Sequence, residues 1–348
     1  MKIGNTINSI NFSGYDAVPL KTLHMGTMHE RIEKELRQIA ENEGFSVKTS
    51  NYNESFNQDF KVILNKDGVP KLFMRQNIGL FQPLPADIEK EYEMSTTIVP
   101  MFPPKSRFIP DENILSGGGF ISGGNFFLGK KPDGTKWLLI GASEQRLRKD
   151  PFAISKLYDV PLRNIHFLPQ EDYHLDLSLR PIGYPYVLIN NPRMASKNEG
   201  KIRNQKQKGI QETDTSPDLQ YNSYKKSIEI LENAGFIPIP IGGVYNNGIN
   251  FMNAVVNLHP DGTISYITNS SKSTNPRDTK YQRMFEKDLR NKLEELSKKD
   301  KNAPKLRDIY FIEGELYDYG NEMTDNLLEG AGGIHCMTLE EPNFEAWA

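Results

Sequence analysis

The sequence is poorest in cysteine, and its only one, Cys336, stands near the end of 348 residues. A single cysteine excludes an intramolecular disulfide, and a cysteine-based zinc site would be short of ligands. The thiol lies in the run GAGGIHCMT at residues 330–338, after a glycine-rich stretch and beside a histidine. Two interpretations are open at this point: a nucleophile held on a sharp turn, or a buried sulfur next to a flexible loop.

Long apolar runs and a strong charge imbalance are also missing. No segment approaches the roughly 20 apolar residues of a membrane span, and the first residues lack the basic and apolar regions of a classical signal peptide. The formal net charge of −3 predicts no general attraction to nucleic acid or to anionic lipid. We therefore expect a globular protein that binds neither nucleic acid nor membrane, and that is cytoplasmic or exported without a classical signal.

Short helical and β-like patterns alternate along the chain. Apolar residues recur with helical spacing in the segments 28–43, 222–234 and 278–297. β-like runs lie between them, at 61–64, 136–141, 186–190, 252–258, 264–268 and 308–312. Turn dipeptides at 67–68, 133–134 and 261–262 predict hairpins. The pattern predicts an α/β (α+β) or propeller-like arrangement of small units, in one large domain or two ordinary ones, and no phosphate-binding loop supports a nucleotide fold.

One segment departs from this alternation. Residues 195–218 are almost wholly polar, and lysine and arginine cluster between Lys201 and Lys208. Such a composition is typical of a solvated, partly disordered loop. We predict a polar insertion here, which as a functional element would be a lid or a partner-contact loop.

A histidine and an aspartate alternate with leucines at residues 173–179. In a β-strand, residues two apart point to one face, so we predict that His174, Asp176 and Ser178 share a side. Paired glycines before Asn125, in the run GGN at 123–125, allow the backbone to approach a ligand or another chain segment closely.

Taken in order, these motifs resemble the guanidino-group-modifying enzymes of the pentein superfamily, which include arginine, agmatine and peptidylarginine deiminases, dimethylarginine hydrolases and amidinotransferases. The matching motifs are GGN at 123–125, His174-Leu175-Asp176, Asn250-Phe251 before a β-run, and GGIHCMT at 332–338. The last is most similar to agmatine deiminases. The matches extend from about residue 73 to 342, so the resemblance covers most of the chain.

The resemblance implies a single domain, residues 1–348, of five ββαβ-like units around a pseudo-fivefold axis, with the active site in a central channel. It also implies a mechanism in which Cys336 attacks the guanidinium carbon and His174 serves as general acid and base. Asp176 would bind guanidinium nitrogens. The glycines before Cys336 would let the backbone turn and leave the sulfur exposed in the channel. His335, next to the nucleophile in an extended segment, should point away from it.

The resemblance implies further substrate-binding positions, and two of them depart from the family pattern. Gln76 stands where an aspartate is usual and Ser122 where some deiminases have glutamate, while Asp87 or Glu89 could supply an acid in another register. An amide in place of a carboxylate weakens guanidinium binding by about 1–2 kcal/mol.

Two asparagine motifs complete the predicted binding set. Asn125 follows from the GGN motif, and Asn250, or its neighbour Asn253, would take part in substrate positioning.

The leading interpretation is a cysteine-dependent deiminase of a free guanidino compound or of arginine in a peptide. The alternatives are an amidinotransferase and a catalytically impaired pentein-fold binding protein. No calcium-site pattern or cofactor motif is present, so we expect neither a metal nor a cofactor. The oligomeric state is not readable from the sequence.

Overall fold

The computed structural model describes most of the elements predicted above. It covers residues 11–12, 15–26, 30–50, 61–64, 70–75, 94–99, 121, 123–142, 151–170, 174–203, 216–245, 249–270, 278–313, 317–319, 322–324 and 333–347. The helices there are α1 Glu30–Glu43, α2 Pro151–Tyr158, α3 Pro192–Arg203, α4 Ser216–Asn233, α5 Asp278–Lys299, α6 Ile334–Met337 and α7 Phe344–Trp347.

The strands of the described residues are short and are distributed along the whole sequence. They are β1 Asn11–Phe12, β2 Leu20–Gly26, β3 Ser46–Ser50, β4 Lys61–Leu64, β5 Pro70–Arg75, β6 Ser95–Val99, β7 Phe126–Lys130, β8 Lys136–Gly141, β9 Ile165–Leu168, β10 Leu179–Pro181, β11 Tyr186–Asn190, β12 Ile237–Ile241, β13 Ala254–Leu258, β14 Thr263–Asn269, β15 Lys305–Ile312, β16 Tyr317–Tyr319, β17 Glu322–Thr324 and β18 Thr338–Pro342. The α/β class predicted from the sequence is therefore confirmed.

Five sheets of the described chain share one connection pattern, in which an antiparallel pair is followed by a parallel third strand. They are β18-β2-β3, β4-β5-β6, β7-β8-β9, β10-β11-β12 and β13-β14-β15. In four of them a helix lies between the second and third strands, as a parallel connection requires. This repeat matches the expected ββαβ-like units, and their closure around a pseudo-fivefold axis stays a prediction.

The three amphipathic helices form where the apolar spacing predicts them. In α1, Ile32, Leu36 and Ile39 are buried, and Gly44 follows with a φ of +79°, which favours glycine at a helix end. Helix α4 begins six residues earlier than predicted, at Ser216, because Ser-Pro-Asp is a favourable helix start. No helix of the described residues is long and apolar enough to cross a membrane.

Two of the predicted hairpin turns are confirmed. Gly134 joins β7 to β8 with a φ of +80°, and Gly262 joins β13 to β14 with a φ of +79°. The third turn, at 67–68, lies outside the described residues, although the strands on either side of it, β4 and β5, pair antiparallel.

The polar segment 195–218 is not a loop along its whole length. Residues 195–203 complete helix α3 and residues 216–218 begin helix α4, while 204–215 lie outside the described residues. The loop prediction is wrong for the first part because Ala195 and Ile202 are buried and pack into the core. A lid function for the rest stays a prediction.

The repeated units explain how distant motifs meet. Segments 123–125, 174–178, 249–253 and 333–337 each come directly before the first strand of a sheet, namely β7, β10, β13 and β18. Equivalent positions in repeated units lie at equivalent places of the fold. The sequence motifs are therefore brought together by the repeat, and helix α6 contacts both β13 and the 3-10 turn at 123–125.

Candidate active site

Cys336 lies in the four-residue helix α6, between Gly333 and strand β18. The cysteine is 1% exposed, so the expectation of an exposed sulfur is wrong for this structure. Gly333 has an extended backbone, with a φ of −76°, and is needed for space rather than for a left-handed turn. A Cβ at this position would lie 2.2 Å from Oδ1 of Asn253, which no side chain tolerates.

The segment of His174 and Asp176 is a 3-10 turn, Leu175–Leu177, and the predicted strand is wrong there. Side chains replace the ladder partners that a strand would have. Oδ1 of Asn125 accepts the first N–H of the turn at 3.1 Å, and Nδ2 of Asn250 donates to its last carbonyl at 2.8 Å. Regular β structure begins only with β10.

The turn at 123–125 brings its backbone against this segment. A Cβ on Gly124 would lie 2.5 Å from Nδ1 of His174 and 2.9 Å from Oδ1 of Asp176. The close approach predicted for the paired glycines is therefore confirmed, and the approached group is another chain segment. Glycine is required here because any side chain would fill the space of the two functional groups.

Three chemically reactive groups meet at this place. A ring nitrogen of His174, a carboxylate oxygen of Asp176 and the sulfur of Cys336 all lie within 4.8 Å of one another. Sγ lies 3.7 Å from Oδ2 of Asp176 and donates to it as a thiol. The same three groups are possible metal ligands, although they equally form a nucleophile, an acid-base group and a cation-binding carboxylate.

Asn253 links the nucleophile to the acid, and it is fully buried. Its Nδ2 donates to Oδ2 of Asp176 at 2.8 Å and to Sγ of Cys336 at 3.2 Å. Its Oδ1 accepts the backbone N–H of His335 at 2.9 Å and that of Cys336 at 3.3 Å. Asn253 was named from the sequence only as an alternative to Asn250. The feature that could have identified it as a site residue is its polar side chain in the largely apolar run MNAVVNL.

Asn250 and Asn125 each hold protein segments together. Oδ1 of Asn250 accepts hydrogen bonds from the N–H groups of Met252 and Asn253. Its Nδ2 donates to the last carbonyl of the 3-10 turn. Oδ1 of Asn125 accepts from Nε2 of Gln170 at 3.0 Å as well as from the turn. Substrate binding by either asparagine stays a prediction. Gln76 and Ser122 lie outside the described residues, as do Asp87 and Glu89.

His335 contradicts the expectation that it points away from the site. Its Nδ1 lies 2.6 Å from Oδ2 of Asp176, and the residue is 2% exposed. The expectation assumed an extended segment, in which neighbours point to opposite faces. In helix α6 successive side chains are about 100° apart, so His335 and Cys336 both reach the carboxylate.

The two oxygens of Asp176 have unequal surroundings. Oδ2 has partners in His335, Asn253 and Cys336, whereas Oδ1 has no hydrogen-bond partner within the described part of the chain. A buried carboxylate oxygen without a partner is unfavourable by more than about 1–3 kcal/mol. A cation bound at Oδ1 would remove that penalty.

The comparisons with known proteins concern the fold. No protein-family model and no curated protein matches the sequence. Among solved structures, agmatine deiminase of C. jejuni has a TM-score of 0.53 at 14% identity, with 98% of each chain covered. A cysteine-to-serine variant of agmatine deiminase from C. jejuni, with substrate bound, has a TM-score of 0.52 at 13% identity, again with 98% of each chain covered. The chain therefore has the fold of these pentein superfamily enzymes, as the sequence motifs predicted.

Proposed function

We propose that this pentein-fold protein is a cysteine-dependent hydrolase of a guanidino group, a deiminase. The observation that carries the proposal is the cluster of buried Cys336 and Asp176 with half-buried His174, in which Oδ1 of the aspartate lacks a partner among the described residues. Nucleophile, acid-base group and cation acceptor within 4.8 Å are what this reaction needs.

The proposed reaction begins with a planar guanidinium cation bound to the carboxylate of Asp176. Its charge offsets that of the carboxylate, which otherwise disfavours a thiolate 3.7 Å away. The N–H of Asn253 that points at Sγ also favours the thiolate. Cys336 then gives its thiol proton to His174, and Sγ forms a bond to the guanidinium carbon.

His174 would transfer the protons of the two chemical steps. In the first, it protonates the departing nitrogen, so the C–N bond breaks, ammonia leaves and a covalent thiouronium remains on Cys336. In the second, it takes a proton from water, whose oxygen attacks the same carbon and releases the thiol. Guanidinium and water are thus converted to a ureido product and ammonium.

One solved neighbour with substrate bound is an agmatine deiminase. We propose a small guanidino compound as the substrate class, with arginine in a peptide as the second candidate. The test is a screen of arginine, agmatine, methylated arginines and arginine peptides for ammonia and ureido product. Both products are expected from one class of substrate, and Cys336→Ala should reduce them to the buffer background. Product formation that survives Cys336→Ala would overturn the proposal.

The screen also separates the alternatives. An amidinotransferase would release no ammonia and would modify an added acceptor amine, so each substrate is tested with and without glycine or another primary amine. A binding protein would form no product from any substrate, and its ligand affinity would be the same in Cys336→Ala.

A further inference from the structure

We infer that His335 is a positioning residue, which holds Asp176 so that Oδ1 alone receives the substrate cation. The inference rests on the proposed function and adds a second histidine to it, with a role different from that of His174. It follows from how the hydrogen bonds are distributed over the two oxygens of one carboxylate.

Oδ2 of Asp176 already has two nitrogen donors. It accepts Nδ1–H of His335 at 2.6 Å and Nδ2–H of Asn253 at 2.8 Å, and Sγ of Cys336 lies 3.7 Å away. A carboxylate oxygen has two favoured acceptor directions, and both are used by nitrogen donors. Oδ2 is therefore saturated before substrate arrives.

Oδ1 of Asp176 has different surroundings. This atom is buried against the backbone of Gly124, and within the described residues nothing donates a hydrogen bond to it. Asp176 consequently offers one oxygen and not two, so it receives a single N–H of a guanidinium or amidinium group. A two-pronged contact, which a free carboxylate makes with a guanidinium, would require Oδ2 to give up one of its nitrogen donors.

His335 is held by a hydrogen bond and by packing. A carboxylate only accepts hydrogen bonds, so the proton of this contact is on Nδ1 of His335. The imidazole lies beside the ring of Phe127, with 5.8 Å between ring centroids, and the guanidinium of Arg180 lies 5.3 Å from the centroid of the same phenyl ring. Both Phe127 and Arg180 are fully buried. The imidazole is therefore held by packing as well as by its hydrogen bond, and without it the carboxylate could turn.

The test uses two thiol reagents of the same shape that differ in charge, chloroacetamidine, a cation, and chloroacetamide, which is neutral. The measured quantity is the ratio of their rates of Cys336 alkylation, because a general change in thiol reactivity cancels in that ratio. His335→Leu removes the donor, whereas His335→Asn can place an amide N–H near the position of Nδ1. His166→Asn, at a half-buried histidine on strand β9, is the matched control.

We expect a high ratio of the chloroacetamidine rate to the chloroacetamide rate for the wild type and for His166→Asn. For His335→Leu we expect a ratio about 10- to 100-fold lower, because losing a hydrogen bond to a charged group has an effect of this size. His335→Asn should recover most of the wild-type ratio. In steady-state assays the loss in His335→Leu should be larger in KM than in kcat, since binding of the cation is what changes.

Three results would overturn the inference, and they differ in whether the proposed function is overturned with it. If His335→Leu keeps the wild-type ratio, His335 only packs, and the proposed hydrolase stands. If the wild type itself shows no preference for the cationic reagent, Asp176 binds no cation, and the proposed function is wrong together with the inference. A low ratio in His335→Leu that His335→Asn does not raise would assign the effect to ring packing and would also overturn the inference.

Discussion

The bond between the amide of Asn253 and the carboxylate of Asp176 leads to a quantitative prediction. Asn253→Asp leaves the shape of the side chain almost unchanged and keeps Oδ1, which accepts the backbone N–H groups of His335 and Cys336 in helix α6. It replaces Nδ2–H by a second carboxylate oxygen, 2.8 Å from Oδ2 of Asp176. Two carboxyl groups then face each other where a carboxylate accepted a hydrogen bond from an amide.

The magnitude follows from two competing terms. Two unit charges 2.8 Å apart repel by about 6 kcal/mol at an effective dielectric constant of about 20. Keeping a proton at pH 7 on one carboxyl group of ordinary pKa, about 3.9, costs about 4 kcal/mol. The smaller cost prevails, so in the folded variant one proton is shared between Asp176 and the carboxyl group introduced at position 253.

The pair's folded-state pKa is thus raised, and the stability that depends on the shared proton is lost as the pH rises. We expect the variant to be less stable than wild type by about 4 kcal/mol at pH 7 and by about 1.5 kcal/mol at pH 5, a slope of about 1.4 kcal/mol per pH unit. Urea denaturation of both proteins at pH 5, 6 and 7 measures this difference.

The exchange variant Asp176→Asn/Asn253→Asp is the control for this experiment. It restores one amide and one carboxylate at the same two positions, so the pH dependence should disappear. If the single variant has the same stability deficit at pH 5 and at pH 7, Nδ2 of Asn253 does not donate to Asp176, and the description of the site is wrong.

Two further predictions concern stability. Gly333→Ala places a Cβ 2.2 Å from the amide oxygen of Asn253, so it should lower Tm and product formation far more than Gly262→Ala does. At position 262 a Cβ meets nothing within 4 Å, and only the backbone cost of about 1–2 kcal/mol remains. Equal losses in the two variants would contradict the close approach at Gly333. Burial alone would raise the pKa of Glu341, but hydrogen bonds from His24 and Lys21 hold it at about 2, below the ordinary 4.5. The stability from this carboxylate is therefore present above pH 4.5 and lost as the pH falls toward 2. In urea denaturation, the free energy of unfolding by which wild type exceeds Glu341→Gln should shrink over this range by up to about 3 kcal/mol. A difference that does not depend on pH would refute the assignment.

Local patterns were enough to predict the elements whose stability is local. Helix α1 and helix α5 appear within two residues of their predicted limits, since an apolar stripe identifies the face that is buried. The turns at Gly134 and Gly262 follow from the positive φ that glycine adopts without strain. The pentein motifs likewise predicted the fold that the solved agmatine deiminases share.

The same local reasoning failed where tertiary contacts replace regular hydrogen bonds. Alternation predicted a strand around His174, but side chains from other units bond the backbone there and stabilise a 3-10 turn. His335 was expected to point away because helix α6 is too short to be recognised from periodicity. Asn253 was not separated from Asn250, because its partners lie 77 to 83 positions away in the chain.

The α/β class, the amphipathic helices, the hairpin turns and a thiol, an acid and a histidine in recognisable motifs can all be predicted from the order of the residues. Which polar atoms meet depends on tertiary contacts. Four segments that each precede a sheet converge, and there buried donors and acceptors find their partners in residues of other units. That is why Oδ2 of Asp176 has hydrogen bonds from His335 and Asn253, why its Oδ1 has none within the described residues, and why neither fact could be read from the spacing of residues.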